Sequence, residues 1–242
     1  MNISDSMVKR KLSLADPWYQ LILRMMKSNI SADLKNILEV GCGKGGFSIR
    51  MAEKCKNVVG LDLSASSIRE AKNLARRSRY HQNVDFVIGD AQFLPFKDGS
   101  GFITVCAETL EHVPHFAKAF QELVRVTEKL GYLFVTVPNY ISTQLLELWL
   151  WSIIGESGRR HGLHIFHYRK AKKLFERRDL EILDVRGTDF IHIPFLSFKR
   201  MDWSSNTPFN ESRFLRFMRY LEKYDRSMKF FGSNIGILAR VK

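Results

Sequence analysis

Short runs rich in β-branched and aromatic residues alternate with amphipathic stretches through this chain, and that alternation limits its fold more than any other feature. The runs occupy 36–40, 58–63, 84–88, 102–106 and 132–137, with helical patterns between them over 46–54, 66–79 and 116–128. In the last of these, Ala117, Phe120, Leu123 and Val124 recur on one face even though valine is a poor helix former. Strand, helix and strand in succession close as a parallel pair with the helix packed across it. The pattern therefore predicts an α/β fold whose parallel sheet is covered on both faces.

Residues 1–30 read as a leading helical segment, with Trp18, Leu21, Ile22, Met25 and Met26 as its apolar face. After Asn139 the alternation is interrupted by an apolar segment, 141–154, and a Gly/Arg/His-rich loop, 155–164. A helix over 169–178 and a strand over 180–188 resume it. A second interruption, 190–232, is rich in aromatics and arginine, and a closing strand is expected at 234–241. Residues 1–242 are read as one domain, with 141–164 and 190–232 as lid or substrate insertions.

The run Ile37-Leu38-Glu39-Val40-Gly41-Cys42-Gly43-Lys44-Gly45-Gly46-Phe47 carries a buried strand straight into a glycine-dense turn that opens a helix. Glycine permits tight turning and lets a ligand approach the backbone. Alone, a Gly-x-Gly is weak, because turns use glycine for conformation only. Two acids at later strand ends strengthen it. Asp62, in VVGLDLS, stands where a carboxylate accepts ribose hydroxyls in this architecture, while Ser64 is better placed than Asp62 to cap the next helix. Asp90, in GDAQFLPF, is placed to accept an adenine amino group.

These segments, with FITVCAETLEHVP, resemble in order and spacing the motifs of class I S-adenosylmethionine (SAM) dependent methyltransferases over residues 36–140. LHIFHY, EILDVRG and the closing strand match more loosely. Within that family the chain is most similar to the type-11 group and the ubiquinone-biosynthesis O-methyltransferases. The resemblance implies a Rossmann-like, mostly parallel seven-stranded sheet with an antiparallel last strand. It implies that Glu39, Gly41, Cys42 and Gly43 flank the methionine part of the cofactor. Asp62 and Leu63 would meet the ribose side, Asp90 and Ala91 the adenine, and Ala107 would lie against the cofactor. One departure stands out: the family's Pro-Gly-Gly before the fifth strand is here Lys129-Leu130-Gly131, with Leu130 where positive φ is expected. A nicotinamide-dinucleotide oxidoreductase shares the strand, turn and ribose acid, but the Glu39-x-Gly-x-Gly and Gly89-Asp90-Ala91 elements speak against it.

Methyl transfer from an activated sulfonium needs alignment and, for a hydroxyl acceptor, removal of a proton. The fourth strand delivers Glu108-Thr109-Leu110-Glu111-His112 to the sheet edge where ligands bind. His112 is the first choice as general base, since imidazole titrates near neutrality; a backbone-bonding role at a helix start is the alternative. Glu108 is a further catalytic choice, and His164 and His167 are secondary ones or plain lid residues. The resemblance also offers Glu108, Glu111 and His112 as a magnesium site, because some relatives with Glu-x-x-Glu-His are associated with that ion. Relatives without metal carry the same letters.

The insertions are apolar, from Leu145 through Ile154 and from Phe190 through Phe198, which fits either core packing or a pocket for a lipophilic small-molecule or lipid-like acceptor. A helix over 211–229 would place Phe214, Phe217, Met218, Leu221, Tyr224 and Met228 opposite Arg213, Arg216, Arg219, Lys223 and Arg226. Such a helix packs on a core or lies on an anionic membrane surface. The formal charge of +13 favours anionic partners without choosing among them. RNA methylation and non-catalytic SAM binding are the rival functions. Against nucleic acid, AETLEHVP lacks the Asn/Asp-Pro-Pro-aromatic run of base-amino methyltransferases. Cys42, Cys55 and Cys106 show no paired spacing, and the first 20 residues hold no apolar signal core, so a cytoplasmic location is expected, with the membrane surface as an option.

Overall fold

The computed structural model describes residues 17–30, 36–140, 164–188, 224, 226–227, 229–230 and 232–242. Its elements, in chain order, are α1 (Pro17–Asn29), β1 (Asn36–Val40), α2 (Gly46–Met51), β2 (Asn57–Asp62), α3 (Ala65–Ala75), β3 (Val84–Ile88), β4 (Gly101–Ala107), α4 (Phe116–Val126), β5 (Thr127–Pro138), α5 (Tyr168–Phe175), β6 (Leu180–Thr188) and β7 (Asn234–Val241). Short 3₁₀ turns lie at His81–Asn83 and Leu110–His112.

The strands form a seven-stranded sheet in the order β3-β2-β1-β4-β5-β7-β6. β1 to β5 pair in parallel, and β7 is antiparallel to both neighbours, as the resemblance implies. Alternate residues of each strand feed opposite faces. On one face Ile37, Val58, Ile103 and Phe134 pack with Ile22 and Met25 of α1, Phe47 and Ile49 of α2, and Ile68 of α3. On the other, Leu38, Val40, Leu61, Val135 and Ile237 pack with Phe120 and Leu123 of α4 and Phe175 of α5. Each such buried side chain contributes about 2 kcal/mol by area. The helices thus cover both faces, as the alternation predicts.

The order reverses between β1 and β4, which opens a crevice at their carboxyl ends. Register brings the site residues to that edge together. Val40 pairs Leu61, so the glycine turn emerges beside Asp62; Asp62 pairs Ile88, two residues before Asp90; Ala107 pairs Thr136.

The leading helix is confined to α1 among the described residues. Its expected apolar face is real, for Leu21, Ile22, Met25 and Met26 are all buried. It lies close on β7, where a Cβ on Gly236 would meet Leu21 at 2.6 Å. The apolar insertion 141–154, the loop to 163 and most of 190–232 lie outside the described residues. So does most of the helix expected over 211–229. Residues 226, 227 and 229 are turn rather than helix. Arg226 is not a simple solvated charge, because its guanidinium reaches Asp184 at 3.0 Å. Among the described residues no helix is long and apolar enough to cross a membrane.

β5 begins at Thr127, five residues ahead of the expected start. Thr127 Oγ1 donates to Leu123 O at 2.7 Å as α4 ends, and Thr127 already pairs with Gly101. The register then slips before Tyr132, and Leu130 sits in this irregularity at φ 64°, as the departure from Pro-Gly-Gly foretells. Gly131 cannot be exchanged: an added Cβ would stand 2.8 Å from two carbonyl oxygens, of Glu128 and Phe102. Leu130 is 61% exposed, so its side chain offers little burial against left-handed strain of roughly 1–2 kcal/mol. Leu130→Gly is therefore expected to raise the thermal midpoint by about 2 °C after the entropic cost of glycine. Gly131→Ala should lower it. Differential scanning fluorimetry decides, and a lower midpoint for Leu130→Gly contradicts the strain.

Candidate functional site

Asp62 ties the glycine turn to the end of β2. Its Oδ2 accepts the Gly43 N–H at 2.7 Å and its Oδ1 the Ser64 N–H at 2.8 Å. Ser64 caps α3, taking the Ser67 N–H on its hydroxyl, so the carboxylate is not consumed as a helix cap. The turn is anchored further by the Gly41 and Cys42 N–H groups, which both donate to Leu61 O.

The three glycines of this turn have positive φ, yet they differ in surroundings. A Cβ on Gly41 would meet Thr109 Oγ1 at 2.1 Å, and one on Gly45 the Phe86 ring at 2.5 Å. At Gly43 nothing lies within 4 Å. The backbone is bare there, next to Asp62. Leu63, which follows Asp62, is 71% exposed.

Glu39 is buried below the turn. Its Oε2 accepts both the Ser48 N–H, at 3.1 Å, and the Ser48 hydroxyl, at 2.5 Å. Burial pushes its carboxyl up to about 8 against the lowering effect of Ser48. Cys42 is buried too, and desolvation, with the Glu39 and Asp62 charges, drives its thiol well above the ordinary range. Cys42 is thus an inert wall. Asp90 accepts three bonds from Gln92, and the following Ala91 is buried.

At the end of β4, Ala107 is buried and Thr109 Oγ1 donates back to Ala107 O at 2.8 Å. Glu108 adopts φ 46°, and its carboxylate accepts the Thr136 hydroxyl at 2.9 Å. Glu111 is buried, and desolvation followed by the Glu108 charge pushes it up to about 8. The His112 side chain is 59% exposed, 3.8 Å from Glu111 through Nε2.

One expectation needs correction. No cluster of three metal-ligating side chains exists among the described residues, and Glu108, Glu111 and His112 do not form one. The tight turn at Leu110–His112 sends consecutive side chains in different directions, one inward and one to solvent, while Glu108 is engaged by Thr136. The donor set does not fit a magnesium ion. His164 turns its Nε2 to Val113 O at 3.0 Å and Pro114 O at 2.9 Å, so that nitrogen carries a hydrogen it donates. It clips the returning chain to the loop after His112. His167 caps α5, accepting the Lys170 N–H at 3.4 Å. Ser48, Thr109, Thr136 and Gln92 are site-building residues that the sequence reading did not single out.

Residues 38–135 match the family described as methyltransferase domain. Over those residues the chain carries a methyltransferase domain. Norajmaline N-methyltransferase of Rauvolfia serpentina is 35% identical over 181 residues, 72% of this chain and 56% of that protein. A ubiquinone biosynthesis O-methyltransferase of Coxiella burnetii is 28% identical over 177 residues, 69% of this chain and 73% of its own length. Geranyl diphosphate methyltransferase in complex with SAM shares the fold, with a TM-score of 0.64 at 17% identity over 93% of this chain and 84% of that one. The chain thus spans little more than half the length of the first of these relatives.

Glu39 also makes stability depend on pH in a defined sense. Its folded-state value, about 8, lies above the ordinary 4.5, so the folded state holds the extra proton between those values. Its contribution is fully present below about 4.5 and is lost as pH rises through about 8. In urea titrations from pH 5 to pH 9, Glu39→Gln is expected to flatten the decline of the midpoint relative to wild type. Parallel pH curves for the two proteins would contradict a protonated Glu39.

Proposed function

We propose that this chain transfers the methyl group of SAM to a small, lipophilic acceptor, with a hydroxyl as the favoured nucleophile. The observation that carries the cofactor part is Gly43, the one glycine of its turn whose missing Cβ leaves open space rather than a packed neighbour. Glu39, Gly41, Cys42 and Gly43 border the methionine part. Asp62 keeps lone pairs for the ribose hydroxyls beyond its two backbone bonds, with Leu63 as an apolar neighbour. Asp90 receives the adenine amino group and Ala91 packs against the ring. Ala107 closes the floor. The residues present fit the cofactor, which when bound supplies an electrophilic methyl on a sulfonium.

His112 takes the acceptor's proton. It is an exposed imidazole just beyond the carboxyl end of β4, whereas His164 and His167 each have a ring nitrogen bonded to the backbone. Glu108 is the neighbouring carboxylate that orients a bound hydroxyl. Relatives named for N-methylation and for O-methylation both support methyl transfer to a small molecule. The O-methyl reading rests on the base: a neutral amine needs no deprotonation before attack, whereas a hydroxyl does.

Two measurements test this. Calorimetry should show SAM and S-adenosylhomocysteine binding to wild type, Asp62→Ala weakening both at least tenfold, and a nicotinamide dinucleotide giving no heat. Preferential binding of the dinucleotide would end the proposal. In a methyl-incorporation assay over phenols, quinone precursors and lipids, His112→Ala should slow turnover by about 10²–10⁴-fold and leave cofactor affinity unchanged. Full turnover by that variant would remove His112 as base.

A further inference from the structure

Gln92 sits between two parts of the site that the sequence treats separately. Its backbone N–H donates to Asp90 Oδ1 at 2.8 Å. Its side-chain Nε2 spans both carboxylate oxygens, at 3.1 Å and 3.0 Å. The other end of the same amide, Oε1, accepts the His115 N–H at 3.2 Å. Both ends agree on the orientation, since a carboxylate needs the NH₂ and an N–H needs the oxygen.

His115 is the N-cap residue of α4, and its own side chain makes no capping bond. The Gln92 oxygen satisfies its N–H from another loop, much as a capping-box glutamine does from within a helix. His115 follows His112 by only Val113 and Pro114, whose carbonyls both lie against His164 Nε2. The segment carrying His112 is thus held by two side chains, Gln92 and His164, and the first leads through a single amide to Asp90.

We propose that Gln92 is a positioning residue that couples occupancy of the adenine carboxylate to the placement of the His112 loop. A ligand that engages Asp90 tightens the Asp90–Gln92–His115 chain and steadies the segment bearing the base; by linkage, a steady loop favours the ligand equally. The inference rests on the reading of Asp90 as the adenine acceptor.

The test compares wild type, Gln92→Met, which keeps the length but removes both contacts, and Gln92→Glu, which keeps the acceptor for His115 but sets a charge against Asp90. The probes are S-adenosylhomocysteine and S-inosylhomocysteine, which lacks the amino group, with hydrogen exchange followed over 41–47 and 112–118. In wild type the adenosyl ligand should bind more than tenfold tighter than the inosyl one and slow exchange in both segments. In Gln92→Met, affinity should fall about tenfold and discrimination collapse to within threefold. At saturation its glycine turn should still be protected while 112–118 is not. Gln92→Glu should lose affinity yet show wild-type exchange over 112–118 without ligand. A merely structural role would weaken both ligands alike and leave discrimination intact, which overturns the coupling. So does full ligand-induced protection of 112–118 in Gln92→Met. If wild type binds neither ligand, the cofactor reading itself has failed.

Discussion

The bond pair that Asp62 makes, to Gly43 N–H across the crevice and to Ser64 N–H on its own side, organises the carboxyl edge of the sheet. Two chain segments that run side by side in the sheet are fixed there to within a hydrogen bond. Because a carboxylate has about four acceptor positions, two backbone donors leave room for a ligand. The same group therefore shapes the turn and remains available to bind. The bare backbone at Gly43 has value only because Asp62 holds it in a set place.

Around this centre the site separates into a rigid wall and a polar edge. Glu39, Ser48, Cys42 and Ala107 are buried and held by short bonds or close packing. The side chains at the end of β4 and in the loop after β3 hold one another instead: Thr109 on Ala107, Glu108 on Thr136, Gln92 on Asp90. On the far flank Arg125 of α4 gathers Glu122, Asp98 and the carbonyls of Leu94 and Phe96, fastening the loop that follows Asp90. Positions needing precision thus rest on the helices, although the residues themselves stand on loops.

The fold was legible because alternation and register are local properties. The strands at 36–40, 84–88, 180–188 and 234–241 run where the residue pattern places them. The early start of β5 was hidden, since Thr127 to Leu130 lack an alternating pattern and pair only through a register slip. The glycines and acids were legible for the same reason as the strands: each stands at a strand end. Ser48, Thr109, Thr136 and Gln92 were not, because a lone hydroxyl or amide announces no partner until the fold brings one. The metal trio was offered by the resemblance alone. The tight turn buries Glu111 and turns His112 toward solvent, while Glu108 is held by Thr136.

The placing of β7 has a bearing on how the molecule is made. In the sheet it lies between β5 and β6, though it follows both in the chain. As the polypeptide leaves the ribosome, β6 emerges with no strand to join, and β5 has one flank open. Both are completed in the sheet only by Asn234–Val241, against which α1 also packs through Leu21 and Gly236. The half that bears the glycine turn is complete in sequence by Pro138, whereas the other half is closed only by the pairing of Asn234–Val241, which also ties α1 to a much later segment.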